Sequence, residues 1–229
     1  YSQGFNGANY NSKNVFGSEI NTIKLAEALS LTELYNIFIF VNILEEDEII
    51  FNNISYLQLN KLNNFKYLDI LVIVRYVNFF LYYKNRAKKL YIWICDSIVN
   101  PYYKGLRLEE NGDNLLFNLK DNINGYICLS DWHLSNIKLQ LEYDLSKINI
   151  IYNPIDLLYY KNNIPIIKNR FIFVPDPSRG LDILLDCLIY LQNYIPDISI
   201  CVFRKNEFSD LILHKLKKLN NTILYNKES

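Results

Sequence analysis

Short apolar runs recur along this chain, each followed by a stretch with helical spacing, and that alternation restricts the possible folds more than any other feature. The runs are Asn36 to Val41, Asp69 to Val74, Leu90 to Cys95, Gly125 to Leu129, Lys147 to Tyr152, Phe171 to Val174 and Ile198 to Phe203. Their length and their β-branched and aromatic content mark them as buried strands. Between them, Ile20, Ile23, Ala26 and Leu29 recur at threefold spacing within Ser18 to Leu29, and Leu134, Ile137 and Leu141 do so within Asp131 to Tyr143. A third stripe, Leu181, Leu184, Leu185, Leu188, Leu191 and Tyr194, ends at Pro196. Such stripes belong to helices packed on a sheet, and the alternation predicts an α/β chain with parallel strands covered on both faces.

The first five runs suffice for one Rossmann-like domain, residues 1–155. After Asn153-Pro154 comes a polar, proline-containing stretch from Leu157 to Asn169, and residues 156–229 then open a second sheet. That second domain is expected to be incomplete, because a doubly wound domain usually needs ~100–150 residues. There is no methionine, and Tyr1 runs directly into a loop rich in Gly and Asn, so the chain reads as a fragment truncated at both ends.

Charge narrows the function classes. Lys plus Arg equals Asp plus Glu at 24 each, so no field of one sign points to nucleic acid or an anionic membrane as the main partner. The most apolar stretch, Leu68 to Tyr83, is interrupted by Asp69 and Arg75, which argues against a transmembrane helix. Cys95, Cys128, Cys187 and Cys201 are far apart and form no C-x-x-C, as expected of reduced, buried thiols in a cytoplasmic protein. The two histidines, His133 and His214, have no ligand-spaced neighbours, and the run Glu45 to Glu48 lacks a partner acid, so no metal site is expected. No P-loop, G-x-G-x-x-G or Ser/His/Asp order is present.

In open α/β sheets ligands bind beyond the carboxyl ends of the strands, so the loops there hold the candidate site. Gly17-Ser18-Glu19 opens the first helix, where Gly17 permits close approach and Ser18 is placed to cap, either for a phosphate or sugar or simply as an ordinary helix start. Arg75 ends a strand and either meets a ligand or pairs with an acid. Asp96, after Cys95, can act as a base or orient a hydroxyl, or it can cap a turn. In Leu129-Ser130-Asp131-Trp132-His133, Ser130 is the candidate cap and His133 sits in the first turn, as ligand contact or packing residue. Asn153 opens an Asx-type turn after the fifth strand. The turn Pro175-Asp176-Pro177-Ser178-Arg179-Gly180 joins a strand to a helix; Asp176 or Ser178 can cap it, Gly180 admits a ligand, and Arg179 sets a cation beside free N–H groups. That arrangement suits a phosphate.

The order of these features resembles the glycosyltransferases of the GT-B fold, particularly the retaining enzymes of family 4. The resemblance covers nearly the whole chain: Gly-Ser-Glu at the first helix, an Arg ending a middle strand, W-I-C-D, L-S-D-W-H, N-P-I-D, and S-R-G-L-D opening the second domain. It implies two Rossmann-like domains of the GT-B type, acceptor-side first and donor-binding second, the second incomplete here. The implied donor is a nucleotide-diphosphate sugar, bound without other cofactor or metal, and the partners implied are that nucleotide sugar and a glycan, protein or lipid acceptor. By position, Arg179, Gly180 and Ser178 hold the donor phosphates and Asp96 is catalytic. Gly17, Ser18, Glu19, Arg75, His133 and Asn153 contact substrate. Many relatives have His-Asp where this chain has Cys95-Asp96. The family's E-x7-E is expected beyond residue 229; Glu19 and Glu27 share that spacing by coincidence. A catalytically degenerate protein that binds a glycan or stabilises a partner, or a sugar-nucleotide epimerase, are the alternative readings.

Overall fold

The computed structural model describes residues 4–10, 15, 17–42, 47–77, 79–84, 87–96, 107–108, 113–114, 121–139, 145–155, 165–204 and 208–226. The chain divides into two compact units, Tyr1–Asp156 and Leu157–Ser229.

In the first unit, α1 (Gly17–Ser30) is followed by β1 (Ile37–Val41), β2 (Glu48–Phe51) and β3 (Ile54–Gln58). These strands form one sheet of order β1-β3-β2, with β1 parallel and β2 antiparallel to β3. Asn52 and Asn53 close the β2-β3 hairpin with both backbones left-handed (φ 51 and 61), the geometry of a two-residue turn of the mirror-image type. The helix face that packs here is built from Glu19, Ile23 and Ala26. Ile20 is half-buried and Leu29 about one-third exposed, so of the stripe read in the sequence Ile23 and Ala26 are fully buried, with Glu19 beside them. Phe5 and Asn6 are also buried, and a side chain at Gly7 would collide with Phe51 and Tyr56. The loop rich in Gly and Asn that precedes α1 is therefore packed at Gly7.

The second sheet of this unit holds β4 (Leu68–Val74), β5 (Ala87–Trp93), β8 (Gly125–Cys128) and β9 (Ile148–Ile150), all parallel in that order. The short helix α2 (Phe79–Tyr82) follows β4, and the two-residue strands β6 (Arg107–Leu108) and β7 (Asp113–Asn114) pair between β5 and β8. Helix α3 (Asp131–Lys138) follows β8, and its Ile137 joins Ile73, Leu90, Ile92 and Tyr126 in the core. The predicted single five-stranded sheet is thus two sheets among the described residues: β1 pairs with β3, and no ladder joins it to β4. Leu141 and Tyr143 of the expected longer helix, Glu45 and Glu46 of the acidic run, and Asp156 lie outside the described residues.

The second unit repeats the strand-helix-strand order with β10 (Arg170–Phe173), α4 (Leu181–Leu191), β11 (Ser199–Arg204), α5 (Asp210–Lys217) and β12 (Thr222–Asn226). Its strands are parallel in the order β10-β11-β12. Leu181, Leu185 and Leu188 are fully buried against Phe173, Ile200 and Val202, while Ile212 and Leu216 bring α5 into the same core. Leu184 and Leu191 are only half-buried, and Tyr194, placed in the stripe by spacing, is exposed beyond the helix end. Chain periodicity there outlasts the helix that it describes. Cys187, expected to be buried, is exposed because it lies on the outer face of α4, away from Leu181, Leu185 and Leu188.

Candidate functional site

Within the first unit, three adjacent strand ends are tied together by side chains. Val74 pairs with Trp93, so the residues just past β4 and β5 emerge side by side. Arg75 takes a left-handed backbone (φ 69) while its N–H continues the ladder to the Trp93 carbonyl at 2.9 Å. Its guanidinium meets Asp96 with two bonds, Nε to Oδ2 at 2.6 Å and Nη2 to Oδ1 at 3.1 Å. With the side chains 15% and 27% exposed, this is a partly buried, bidentate, charge-assisted pair. Of the two roles open to Arg75 in the sequence, the structure shows pairing with an acid.

His133 supplies the next tie. It is buried, its Nδ1 accepts from the Leu129 N–H at 3.1 Å, and its Nε2 lies 2.8 Å from the Asp96 carbonyl oxygen. Since a backbone N–H can only donate and a carbonyl only accept, the ring is the neutral tautomer with the proton on Nε2. Both nitrogens are engaged, so His133 holds the loop after β8 to the loop after β5. Ser130 caps α3 as the sequence suggests, accepting from the His133 N–H at 3.1 Å.

At the start of α1, Ser18 lies inside the helix that Gly17 opens, and its hydroxyl donates to Glu19 Oε2 at 3.0 Å. The predicted capping role of Ser18 is therefore replaced by support of Glu19, because the helix begins one residue earlier. Glu19 is buried, and its charge acts on Cys95. The Cys95 thiol is pushed up to about 12, first by burial, then by the Asp96 carboxylate, with Arg75 opposing and Glu19 adding. A thiol held there stays protonated at neutral pH and is a poor nucleophile. A side chain at Gly17 would meet nothing within 4 Å, so that edge is open. Asn153 is exposed after β9.

This arrangement leaves Asp96 able to accept from hydroxyl groups. An ionised carboxylate has about four acceptor positions, and Arg75 occupies one on each oxygen of Asp96.

The second unit presents the opposite arrangement. Past β10, residues Pro177–Arg179 form a single 3-10 turn. Asp176 Oδ1 accepts from both the Ser178 N–H, at 3.0 Å, and the Ser178 hydroxyl, at 2.6 Å. Of the two possible caps, Asp176 thus closes the turn, and the polar groups of Ser178 point back onto it. Gly180 is left-handed (φ 95), a conformation that favours glycine, and begins α4 without any side-chain cap. Arg179 is exposed and has no ion-pair partner among the described residues. The first-turn amides of α4 have no intrahelical acceptors, as at any helix start, so a cation and uncapped N–H groups occur together.

No group of His, Cys, Asp and Glu side chains among the described residues is placed to hold a metal ion. No described helix is long and apolar enough to cross a membrane. Trp132 and Tyr152, which the sequence reading passed over, are both exposed at the carboxyl edge of β8 and β9. An aromatic residue inside a strand-to-helix turn was the available signal.

No protein-family model and no curated protein matches the chain. Among solved structures, a point mutant of S. aureus TarM in complex with fondaparinux, alpha-GlcNAc-glycerol and UDP overlaps 62% of this chain and 29% of its own, with 15% identity and a TM-score of 0.42. A second TarM structure overlaps 69% of this chain and 32% of its own, with 17% identity and a TM-score of 0.47. The chain thus spans about a third of the length of these neighbours, and a likeness at these scores assigns no chemistry to it.

Proposed function

We propose that the chain carries the acceptor-side domain and the opening of the donor-binding domain of a glycosyltransferase. It moves a sugar from a nucleotide-diphosphate sugar to a glycan, protein or lipid acceptor, with retention, without a metal ion, and in the cytoplasm. The observation that carries this reading is Arg179: an exposed cation without an ion-pair partner among the described residues, beside the uncapped start of an 11-residue helix that follows a parallel strand. The motif order from Gly17 to Gly180 supports the same reading, and the four unpaired cysteines support the compartment.

Breaking the bond between the anomeric carbon and the diphosphate puts negative charge on the phosphate as the sugar becomes oxocarbenium-like. Arg179 and the first-turn amides of α4 stabilise that charge as it grows, which removes the need for a divalent ion. Gly180 keeps the backbone low enough for phosphate oxygens to approach. In the first unit, Asp96, oriented by Arg75, accepts hydrogen bonds from substrate hydroxyls.

Calorimetry of the full chain with UDP and with GDP tests this reading. One charge-assisted bond contributes about 1.5–3 kcal/mol, so Arg179→Ala should weaken nucleotide binding roughly 10- to 100-fold. Equal affinity of the wild type and Arg179→Ala, or no binding of either nucleotide by the wild type, removes the donor assignment.

One feature favours a second reading, a catalytically degenerate protein that binds a glycan or stabilises a partner enzyme. Arg75 engages both oxygens of Asp96, and the neighbouring thiol is held protonated. Binding of a nucleotide sugar with no release of nucleoside diphosphate would select this second reading.

A further inference from the structure

Trp132 is 69% exposed and Tyr152 64% exposed, and Trp132 is one of only two tryptophans in the chain. The other tryptophan, Trp93, is buried. Both exposed aromatics lie where ligands bind in α/β sheets: Trp132 in the first turn of α3, just past β8, and Tyr152 just past β9. The Tyr152 hydroxyl donates at 3.2 Å to Oδ2 of Asp131, the residue that precedes Trp132 at the start of α3. The adjacent backbone is well fixed, since Ser130 caps the helix and His133 bonds to two different loops.

We propose that Trp132, Tyr152 and Asp131 form a saccharide-binding platform, the place where a pyranose ring of the acceptor lies. The inference rests on the transferase reading and deepens it by naming a glycan as the acceptor class. The C–H groups on one face of a pyranose suit a flat aromatic surface, while its hydroxyls are donors for a carboxylate that still has acceptor positions free after one bond from Tyr152. The Asp131 charge repels a phosphate, so a nucleotide does not fit here. A flat aromatic face beside a carboxylate suits a ligand that carries both apolar C–H groups and hydroxyls. A neutral polyol with apolar faces matches both properties.

Two indole N–H signals, from Trp93 and Trp132, make the platform directly readable by heteronuclear NMR of the full chain. The probes are the methyl glycosides of glucose, galactose, mannose and N-acetylglucosamine, with the β-1,4 trisaccharide of N-acetylglucosamine. With at least one of them the Trp132 signal should move saturably in the millimolar range while that of Trp93 stays in place. Trp132→Ala should abolish binding of that probe, and Asp131→Asn should weaken it about fivefold or more. Tyr152→Phe, which keeps the ring and removes its tether, should weaken it severalfold. All three variants alter exposed side chains, so retained dispersion of the remaining signals confirms that they fold.

Absence of a saturable shift with every probe, or undiminished binding by Trp132→Ala, overturns the proposal. So does a Trp132 signal that follows protein concentration rather than glycoside, because the surface is then a contact between copies. Glycoside binding without UDP or GDP binding would leave the platform standing and remove the transferase reading. Nucleotide binding without glycoside binding would do the reverse.

Discussion

The loops after β4, β5 and β8 in the first unit and the turn after β10 in the second unit occupy equivalent places in their sheets, yet they treat charge in opposite ways. In the first, Arg75 is bound twice to Asp96 and His133 is engaged at both ring nitrogens. In the second, Arg179 has no ion-pair partner among the described residues, and the helix behind it starts at a glycine with no cap. A charge that is already paired contributes to the folded state, whereas an unpaired surface charge contributes little to folding and remains available to a ligand. The same residue type therefore does structural work at position 75 and is free for recognition at position 179.

The largest test of this contrast is Asp96→Ala. Removing the acid takes the carboxylate partner from a partly buried guanidinium, and the expected loss is about 2–3 kcal/mol of stability, below the range for fully buried pairs because both side chains keep some solvent contact. Adding Arg75→Gly removes the cation that has lost its carboxylate and suits the left-handed backbone, so denaturant unfolding of the double variant should recover part of that loss. A cost under about 0.5 kcal/mol for Asp96→Ala would reduce the pair to an ordinary surface contact.

A pH-dependent effect follows from Cys95. Its folded value lies near 12 against an ordinary 9, so the fold favours the protonated thiol. The sign is therefore that Cys95 contributes stability in full below about pH 9 and loses it as pH rises toward 12. Measured against Cys95→Ala, the wild type should lose its relative advantage across that window. A difference between the two that stays constant from pH 8 to 12 would show that the thiol is not held in its protonated form.

The smallest expected change is the stability of Arg179→Ala, within about 0.5 kcal/mol of the wild type by the same denaturant measurement. A loss above 1 kcal/mol would mean that Arg179 has a structural partner, and the contrast between the two regions would collapse.

Most of the strands were readable from sequence because parallel strands are continuous apolar runs. The core of α4 was readable because Leu181, Leu185 and Leu188 keep helical spacing against the sheet. The hairpin of β2 and β3 was missed although Asn52-Asn53 carries its turn signal, since the apolar part of β2, Ile49-Ile50-Phe51, is only three residues long and alternates half-buried and exposed residues. At the candidate site the residue types were legible, but their partners were not. Nothing in the spacing of Arg75, Asp96 and His133 says that strand order places them together, and burial of Glu19 depends on a helix start one residue from that expected. Tyr194 extended a periodic stripe past the helix end, where periodicity no longer implies a face.

The Arg75–Asp96 pair also bears on how the sheet finds its alignment. Parallel strands with apolar side chains on both faces carry little information about which residue should stand opposite which. Sliding β5 past β4 by one residue displaces Asp96 by about 3.3 Å along the strand and turns alternate side chains to the other face, out of reach of Nε and Nη2. The two bonds form only when Val74 stands opposite Trp93. The pair joins residues 21 apart in sequence, so it marks the correct register early in the chain's own order of contacts, as a pin marks the alignment of two plates.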